Sequence, residues 1–232
     1  MTFDIRLSVI DIVNTVQRRL GLTPTTTLTA TKHANVLLEL LNQVLDESSD
    51  AGDWQELYAE TIVSVISSTR TYNVSTTSQA LVKNIYEISF GTDIAALEVE
   101  DIQEMRRLRR LGSFGRPRRF SIVGVNDTTG NPKIEVYPCP VTAQVSSQFN
   151  IAYFRKPPIY TTADINTVPD LPGQLLVQGL YAKALLEENG GEPTPQYQVA
   201  YNEFERMRSE ALNRFNADTG TDMFFRPHSE AH

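Results

Sequence analysis

Apolar side chains recur at helical spacing in two segments near the N-terminus. The first segment contains Ile5, Val9, Ile12, Val13, Val16 and Leu20 and is followed by Gly21. The second contains Ala34, Leu37, Leu38, Leu41, Val44 and Leu45, with Thr29 or Thr31 available as the N-cap. These positions predict two amphipathic helices. The Thr-rich turn between them favours an antiparallel pair, with Trp54 closing its open end.

The middle of the chain changes to β-branched and alternating positions. The segments that predict strands are residues 61–69, 82–90, 118–125, 133–140 and 148–158. We expect the first two to form a hairpin or two separate strands, and the last three to form a meander. A short stretch of helix formers at residues 99–111 interrupts this region and predicts a helix.

Two further helices are predicted in the C-terminal part. One begins near Leu175 and ends at Gly190 and Gly191, and the other begins at Pro195 with Thr194 as its cap. Because the first of them is apolar on more than one face, we expect it to be central to the fold or to a subunit contact.

The order of elements predicts an α+β fold, in which the N-terminal and C-terminal helices form a small helical bundle packed with a small antiparallel β-sheet. We expect one domain over residues 1–216. Its parts are the N-terminal helices (1–56), a β-rich region with a helical insert (57–165) and the C-terminal helices (166–216). Residues 217–232 are expected to form an extended tail.

Composition is that of a soluble globular protein, with 41% hydrophobic and 21% charged residues. No apolar run approaches the roughly 18 residues of a membrane-spanning helix, so no membrane contact is expected. Asp4 and Asp11 interrupt the N-terminal segment, which predicts a protein made in the cytoplasm without a signal peptide. Cys139 is the one cysteine and the chain has three histidines, which leaves no disulfide and no standard zinc spacing.

The sequence offers little for catalysis. His33 lies at the start of a predicted helix, while His228 and His232 lie in the tail. The carboxylates Glu98, Glu100 and Asp101 could hold Mg²⁺ in a nuclease, but no third ligand or base is placed beside them, and a solvated helix start is the stronger interpretation. We therefore expect no catalytic residue, no metal and no cofactor.

Seven arginines lie close together in a chain whose net charge is -7, and they are a third of its 21 basic residues. They are Arg106, Arg107, Arg109, Arg110, Arg116, Arg118 and Arg119. Acids lead the helix at 99–111 and arginines trail it, which suits the helix dipole and allows Arg106 or Arg107 to pair with Glu104 or Asp101. Three interpretations stay open for this cluster: a solvated surface with local pairs, ion pairs to another subunit, and contact with DNA.

Motifs between residues 115 and 164 resemble those of the head-to-tail adaptor (connector) proteins of tailed bacteriophages, including the tail-tubular and adaptor group of short-tailed phages. The matching runs are GRPRRF, YPCP, YFRKPP and TTAD, followed by the Leu/Ala-rich segment LPGQLLVQGLYAKALLE. The matching residues are Gly115, Pro117 and Phe120, then Tyr137, Pro138 and Pro140, then Tyr153, Phe154, Arg155, Pro157 and Pro158, then Thr161, Thr162 and Asp164. The chain departs from the family pattern at Tyr72 and in the helix at 99–111.

This resemblance implies a structural virion protein of the neck between head and tail, assembled in the host cytoplasm. Its implied partners are the portal protein, tail or nozzle proteins and further copies of itself, in a ring of about a dozen subunits (a dodecamer). DNA would pass through the channel of the ring without specific binding. On this interpretation the seven arginines form a charge cluster at a subunit interface.

The C-terminal tail carries three large apolar residues followed by an arginine, and we expect this group to dock on the portal or on a neighbouring subunit. It consists of Met223, Phe224, Phe225 and Arg226. The strongest alternative function is a DNA-binding regulator or packaging accessory that uses the arginines and Lys133 on phosphates. A metal-dependent nuclease is the third alternative.

Overall fold

The computed structural model describes residues 6–74, 81–92, 95–144 and 147–218. These residues form five α-helices and two small β-sheets, which confirms the predicted mixed α+β class. The helices are α1 (Val9–Arg19), α2 (Lys32–Asp50), α3 (Ile102–Leu111), α4 (Gly173–Glu188) and α5 (Pro195–Asp218). The strands are β1 (Tyr58–Ser64), β2 (Thr71–Asn73), β3 (Val82–Phe90), β4 (Glu98–Val99), β5 (Arg119–Val125), β6 (Pro132–Tyr137) and β7 (Gln148–Arg155).

The chain divides into two compact units. The helical unit consists of Met1–Leu57 and Pro157–His232, and the sheet unit is Tyr58–Lys156. The sheet unit is thus a continuous insertion between the two segments that build the helical unit. Among the described residues, α1, α2, α4 and α5 belong to the helical unit, and α3 with all seven strands belongs to the sheet unit.

The helices begin where the sequence supplies a capping side chain. Thr31 is the N-cap of α2, and its hydroxyl accepts the backbone N–H of Ala34 at 3.1 Å. Thr194 accepts the backbone N–H of Tyr197 at 3.2 Å and precedes Pro195, the first residue of α5. Both C-terminal helices and both N-terminal helices are therefore confirmed, and of the two cap candidates for α2 the structure uses Thr31.

Helix α4 is the centre of the helical unit, because it contacts α1, α2 and α5. Leu175, Leu176 and Leu180 are buried in the core that these helices share. At Gly179 a β-carbon would lie 2.7 Å from a side-chain carbon of Phe204 and a similar distance from one of Val44. The missing side chain therefore lets α4 approach both neighbours, and the prediction that this helix is central to the fold is confirmed.

Trp54 lies just beyond α2 and is buried in the same core. Its indole N–H donates to the backbone oxygen of Ser48 at 2.8 Å, which satisfies the polar edge of the ring. The single tryptophan therefore ties the chain after α2 to the last turns of that helix.

The sheet unit contains two sheets where one was expected. The first is antiparallel with the order β1-β7-β3, and the second has the order β2-β6-β5-β4, in which β4 and β5 are parallel. Strands β1 and β3 each pair with β7, so the two separate strands are observed and the hairpin is not.

The predicted meander is wrong at its third strand. Strands β5 and β6 pair as expected, but β7 belongs to the other sheet, between β1 and β3. Phe149, Ile151 and Tyr153 are buried on one face of β7, and Phe154 is buried on the other. An apolar strand of this kind is suited to the centre of a sheet, whereas the end of a meander is an edge.

Side chains from both sheets share one hydrophobic core. Tyr72, Ile134 and Val136 contribute from the four-stranded sheet, and Ile88 and Phe149 contribute from the three-stranded sheet. The alternating positions of β6 place Ile134 and Val136 in this core and Glu135 on the opposite face. That opposite face receives helix α3.

Candidate functional site

Helix α3 carries the arginine cluster and packs against β5 and β6. Asp101 caps its first turn by accepting the backbone N–H of Gln103 at 2.6 Å. Gly112 closes the helix in the left-handed conformation, with a φ of 69°. Met105 and Leu108 are the buried residues of α3, so the helix is anchored by one face and leaves its arginines on the others.

Among the ion pairs of the cluster in the described residues, that of Arg109 has the most deeply buried acidic partner. Its Nε donates to Oε1 of Glu135 at 2.8 Å, and its Nη2 donates to Oε2 of the same carboxylate. The Glu135 side chain is only 2% exposed, whereas that of Arg109 is 55% exposed. The hydrogen bond to Glu135 raises the pKa of Arg109 above its ordinary value. This two-point contact holds α3 against β6 and compensates the charge of a carboxylate that is buried away from solvent.

Two further arginines have acidic partners in the same chain. Arg107 pairs with Glu104 at 2.8 Å, which is one of the local pairs that the sequence allowed. Arg119 lies 3.2 Å from a carboxylate oxygen of Glu98 and 3.0 Å from one of Glu100. These pairs are partly or largely exposed and screened by water, so they add little to stability.

The other four arginines divide into one that stacks and three that face solvent. Arg116 lies over the ring of Phe90, with its guanidinium carbon 5.5 Å from the ring centre. Arg106, Arg110 and Arg118 are exposed and have no ion pair within the described part of the chain. Local pairs therefore account for Arg107, Arg109 and Arg119, while for Arg106, Arg110 and Arg118 solvent, another subunit and DNA stay open as interpretations.

Two large apolar side chains are exposed at and just after the C-terminal end of the helix that carries Arg106 and Arg110. Arg106 and Arg110 are one helical turn apart on α3. Leu111, the last residue of α3, is 67% exposed, and Phe114, which follows, is 62% exposed. We call Arg106, Arg110, Leu111 and Phe114 the α3 patch. Large apolar side chains bordered by arginines are typical of protein interfaces.

The described residues give no support to the nuclease alternative. Glu98 and Glu100 pair with Arg119, and Asp101 caps α3, so each carboxylate considered for Mg²⁺ already has a structural partner. No group of three or more His, Cys, Asp or Glu side chains in this part of the chain is arranged to hold a metal ion. Cys139 is a buried free thiol.

The helical unit contains an open apolar groove that the sequence did not predict. It has a volume of about 380 Å³ and lies where the end of α1, the start of α2 and the end of α4 meet. Its apolar lining is Leu20, Leu22, Val36, Leu37, Leu40 and Ala184, and its polar rim is Lys32, His33, Glu187 and Glu188. We call this the α1-α2-α4 groove. Its only signal in the sequence is that Val36 and Leu40 widen the apolar face of α2 beyond a single stripe.

An aromatic cluster lies on the three-stranded sheet. The rings of Tyr58 and Tyr86 meet edge to face with centres 6.4 Å apart, and Phe154 packs at 5.9 Å from Tyr58. The Tyr58 hydroxyl donates to a carboxylate oxygen of Glu60 at 2.7 Å. Burial, together with this hydrogen bond, raises the pKa of Tyr58 to about 12.

The tail group Met223, Phe224, Phe225 and Arg226 lies outside the described residues, so its docking stays a prediction. The same holds for the interface role of the seven arginines. None of the helices in the described ranges is both long enough and apolar enough to cross a membrane.

Comparison with protein families matches the chain to the model of the SU10 adaptor protein over residues 7–230. A comparison with curated proteins finds no match. The family match runs through both units and includes all five helices and all seven strands of the described residues. Since it covers nearly the whole sequence, the chain belongs to the SU10 adaptor protein family, which confirms the resemblance to phage head-to-tail adaptors.

Proposed function

We propose that this protein forms a ring that docks beneath the portal and extends the DNA channel toward the tail. The observation that carries this proposal is the family match over residues 7–230. As a phage adaptor, the protein is a structural component of the virion neck that works with portal and tail components. The ring, its dodecameric stoichiometry, its assembly in the host cytoplasm and its place under the portal are the parts we propose.

Contacts between neighbouring subunits would use the exposed arginines that have no ion pair among the described residues. These are Arg106, Arg110 and Arg118. The sheet unit has more Lys and Arg than Asp and Glu, so the whole negative net charge of the chain comes from the helical unit. A ring brings one face of each subunit against a different face of the next. The α3 patch would therefore meet an acidic surface on the neighbouring copy, with Leu111 and Phe114 supplying apolar contact.

The net charge of -7 also supports a channel that DNA passes without specific binding. Phosphates are repelled by a surface of the same sign, and tight DNA binding requires a clear cationic surplus. The alternative of a DNA-binding regulator or packaging accessory relies on the same exposed arginines and on Lys133. The two functions differ in what the arginines contact, so one experiment separates them.

The test is the native mass of the purified protein, alone and mixed with the portal protein of the same phage. The expected result is a saturating complex with one copy per portal subunit. Absence of a complex, together with retention on DNA that falls steeply with salt, would refute the adaptor ring and favour phosphate binding by the arginines.

Charge reversal tests the role of the α3 patch within the ring. Arg106→Glu combined with Arg110→Glu should prevent ring formation at physiological salt, because both cations would then repel an acidic neighbour. The control combines Arg18→Glu with Lys133→Glu, which changes the net charge equally at two sites outside the α3 patch. Assembly that is lost equally in both variants, or in neither, would contradict the proposed contact.

A further inference from the structure

The α1-α2-α4 groove has the shape and chemistry of a peptide-docking site. Its volume of about 380 Å³ lies within the range of about 300 to 1,000 Å³ that is typical of ligand pockets. Leu20, Val36 and Leu40 line it and are half-buried, so apolar surface stays open to solvent there. An apolar floor of this kind is stabilised when apolar side chains from a partner cover it.

The rim of the groove carries charges of both signs. Lys32 and His33 belong to the start of α2, while Glu187 and Glu188 belong to the end of α4. An occupant that fits both rims has apolar side chains in the middle, an acid at one end and a base at the other. This order of charges also sets the direction in which an extended segment would lie.

We propose that the occupant is the tail segment of a neighbouring copy of this chain, residues 222–226. The segment reads DMFFR, so Asp222 precedes three large apolar side chains and Arg226 follows them. Asp222 would face the cationic rim at Lys32, and Arg226 would face the anionic rim at Glu187 and Glu188. Phe224 and Phe225 would fill the apolar floor.

The packing of α5 on α4 shows that the tail of the same chain does not reach the α1-α2-α4 groove. The side chain of Gln178 donates to the backbone oxygen of Ala200 at 3.0 Å, and that of Gln196 donates to the hydroxyl of Tyr181 at 2.9 Å. Residue numbers thus rise along α4 while they fall along α5, so the two helices are antiparallel. The end of α4, where the groove lies, is therefore level with the start of α5.

The length of α5 then decides whether the tail can reach the groove of its own subunit. Helix α5 has 24 residues, which at 1.5 Å per residue is about 36 Å. From Asp218, where α5 ends, a fully extended chain reaches Phe225 within at most about 25 Å. Phe224 and Phe225 of one subunit therefore cannot reach the groove of the same subunit. A neighbouring subunit can supply them, which would link each copy to the next in one direction, as a closed ring requires.

Disulfide trapping tests this inference, which rests on the proposed ring. The variant Val36→Cys/Phe225→Cys places one thiol in the groove and one in the tail, and the control Val199→Cys/Phe225→Cys moves the first thiol to an exposed site on α5. Each variant is mixed with portal protein, its native mass is measured, and it is then oxidised. The native Cys139 is buried and common to both. We expect a ladder of covalent oligomers in the groove variant, several-fold stronger than in the control.

The outcomes separate the two proposals. A complex of full mass without the ladder overturns the tail inference and leaves the ring intact, as would be found if the tail docked on the portal instead. A covalent bond within single chains overturns the exchange between copies. A ladder without a portal complex supports the tail inference and refutes docking on the portal. If neither the ladder nor the portal complex is found, both the tail inference and the proposed ring are overturned.

A charge exchange gives a second measurement that does not depend on the cysteine variants. Arg226→Glu should weaken ring assembly, and so should Glu187→Lys with Glu188→Lys. The three substitutions together should restore it, because the rim and the tail would again carry opposite charges. Failure of the combined variant to recover while all variants fold normally would overturn the proposed pairing.

Discussion

Removing Arg109 alone should destabilise the sheet unit, because Glu135 would be left buried without its ion-pair partner. Arg109→Met removes the guanidinium but keeps a long apolar stem on α3. The Glu135 carboxylate, which is 2% exposed, would then lose both hydrogen bonds from Arg109. A buried charge that has lost its partner is the costly part of such a substitution.

The magnitude follows from the exposure of the two partners. Removing one member of a fully buried pair costs about 3 to 5 kcal/mol. Because the Arg109 side chain is 55% exposed, water can reach the carboxylate once the guanidinium is gone. We therefore expect a loss of about 2 kcal/mol in the free energy of unfolding, at the lower end of what an unsatisfied buried charge costs.

Urea unfolding of the full chain measures this loss, with Arg110→Met as the matched control. Arg110 lies on the same helix and is exposed without an ion pair in the described residues, so its replacement should change stability by less than about 0.5 kcal/mol. Arg109→Met combined with Glu135→Met should recover most of the loss, because replacing both partners by apolar groups is close to neutral. Equal stability of the two single variants would refute the reasoning.

Three further predictions concern packing, pH and the single tryptophan. Gly179→Ala should destabilise the helical unit, since a methyl group 2.7 Å from Phe204 and Val44 costs about 1 to 3 kcal/mol and exceeds the gain in helix propensity; a stabilised variant in thermal unfolding would contradict the close approach of α4. Because the pKa of Tyr58 is raised to about 12, its contribution to stability is complete below pH 10.0 and is lost as the pH rises toward 12; tyrosinate absorbance during a pH titration checks this, and ionisation of every tyrosine near 10.0 would contradict it. Trp54→Phe should cost about 1 kcal/mol in urea unfolding, because the Ser48 carbonyl oxygen loses the indole donor and keeps the backbone N–H of Ala51; an unchanged midpoint would show that the indole hydrogen bond is unimportant.

The helices could be predicted because their signals are local. The caps at Thr31 and Thr194, Pro195 at the start of α5 and Gly112 at the end of α3 all act within one or two turns of the residue concerned. The apolar spacing of each helix then indicates which face is buried. The burial of α4 on several faces could be predicted for the same reason, because its sequence is apolar on more than one face.

The pairing of the strands could not be predicted in this way. Alternation along β7 indicates a strand, but it carries no information about which strands lie beside it. The same limit applies to Glu135, which occupies a polar position in an alternating strand and would ordinarily face solvent. It is buried because α3, distant in sequence, covers that face and supplies Arg109. The α1-α2-α4 groove likewise depends on three helices that meet only in the folded chain.

The register of β1 with β7 has a consequence for how this family could diversify. Tyr58, the first residue of the sheet unit, is the partner of Phe154, two residues before the unit ends at Lys156. An insertion whose two ends are neighbouring strands can be removed or exchanged with little change to the path of the surrounding chain. The segment 58–156 is therefore suited to replacement as a cassette, so that recombination between phages could alter the sheet and its arginines while the helices stay the same.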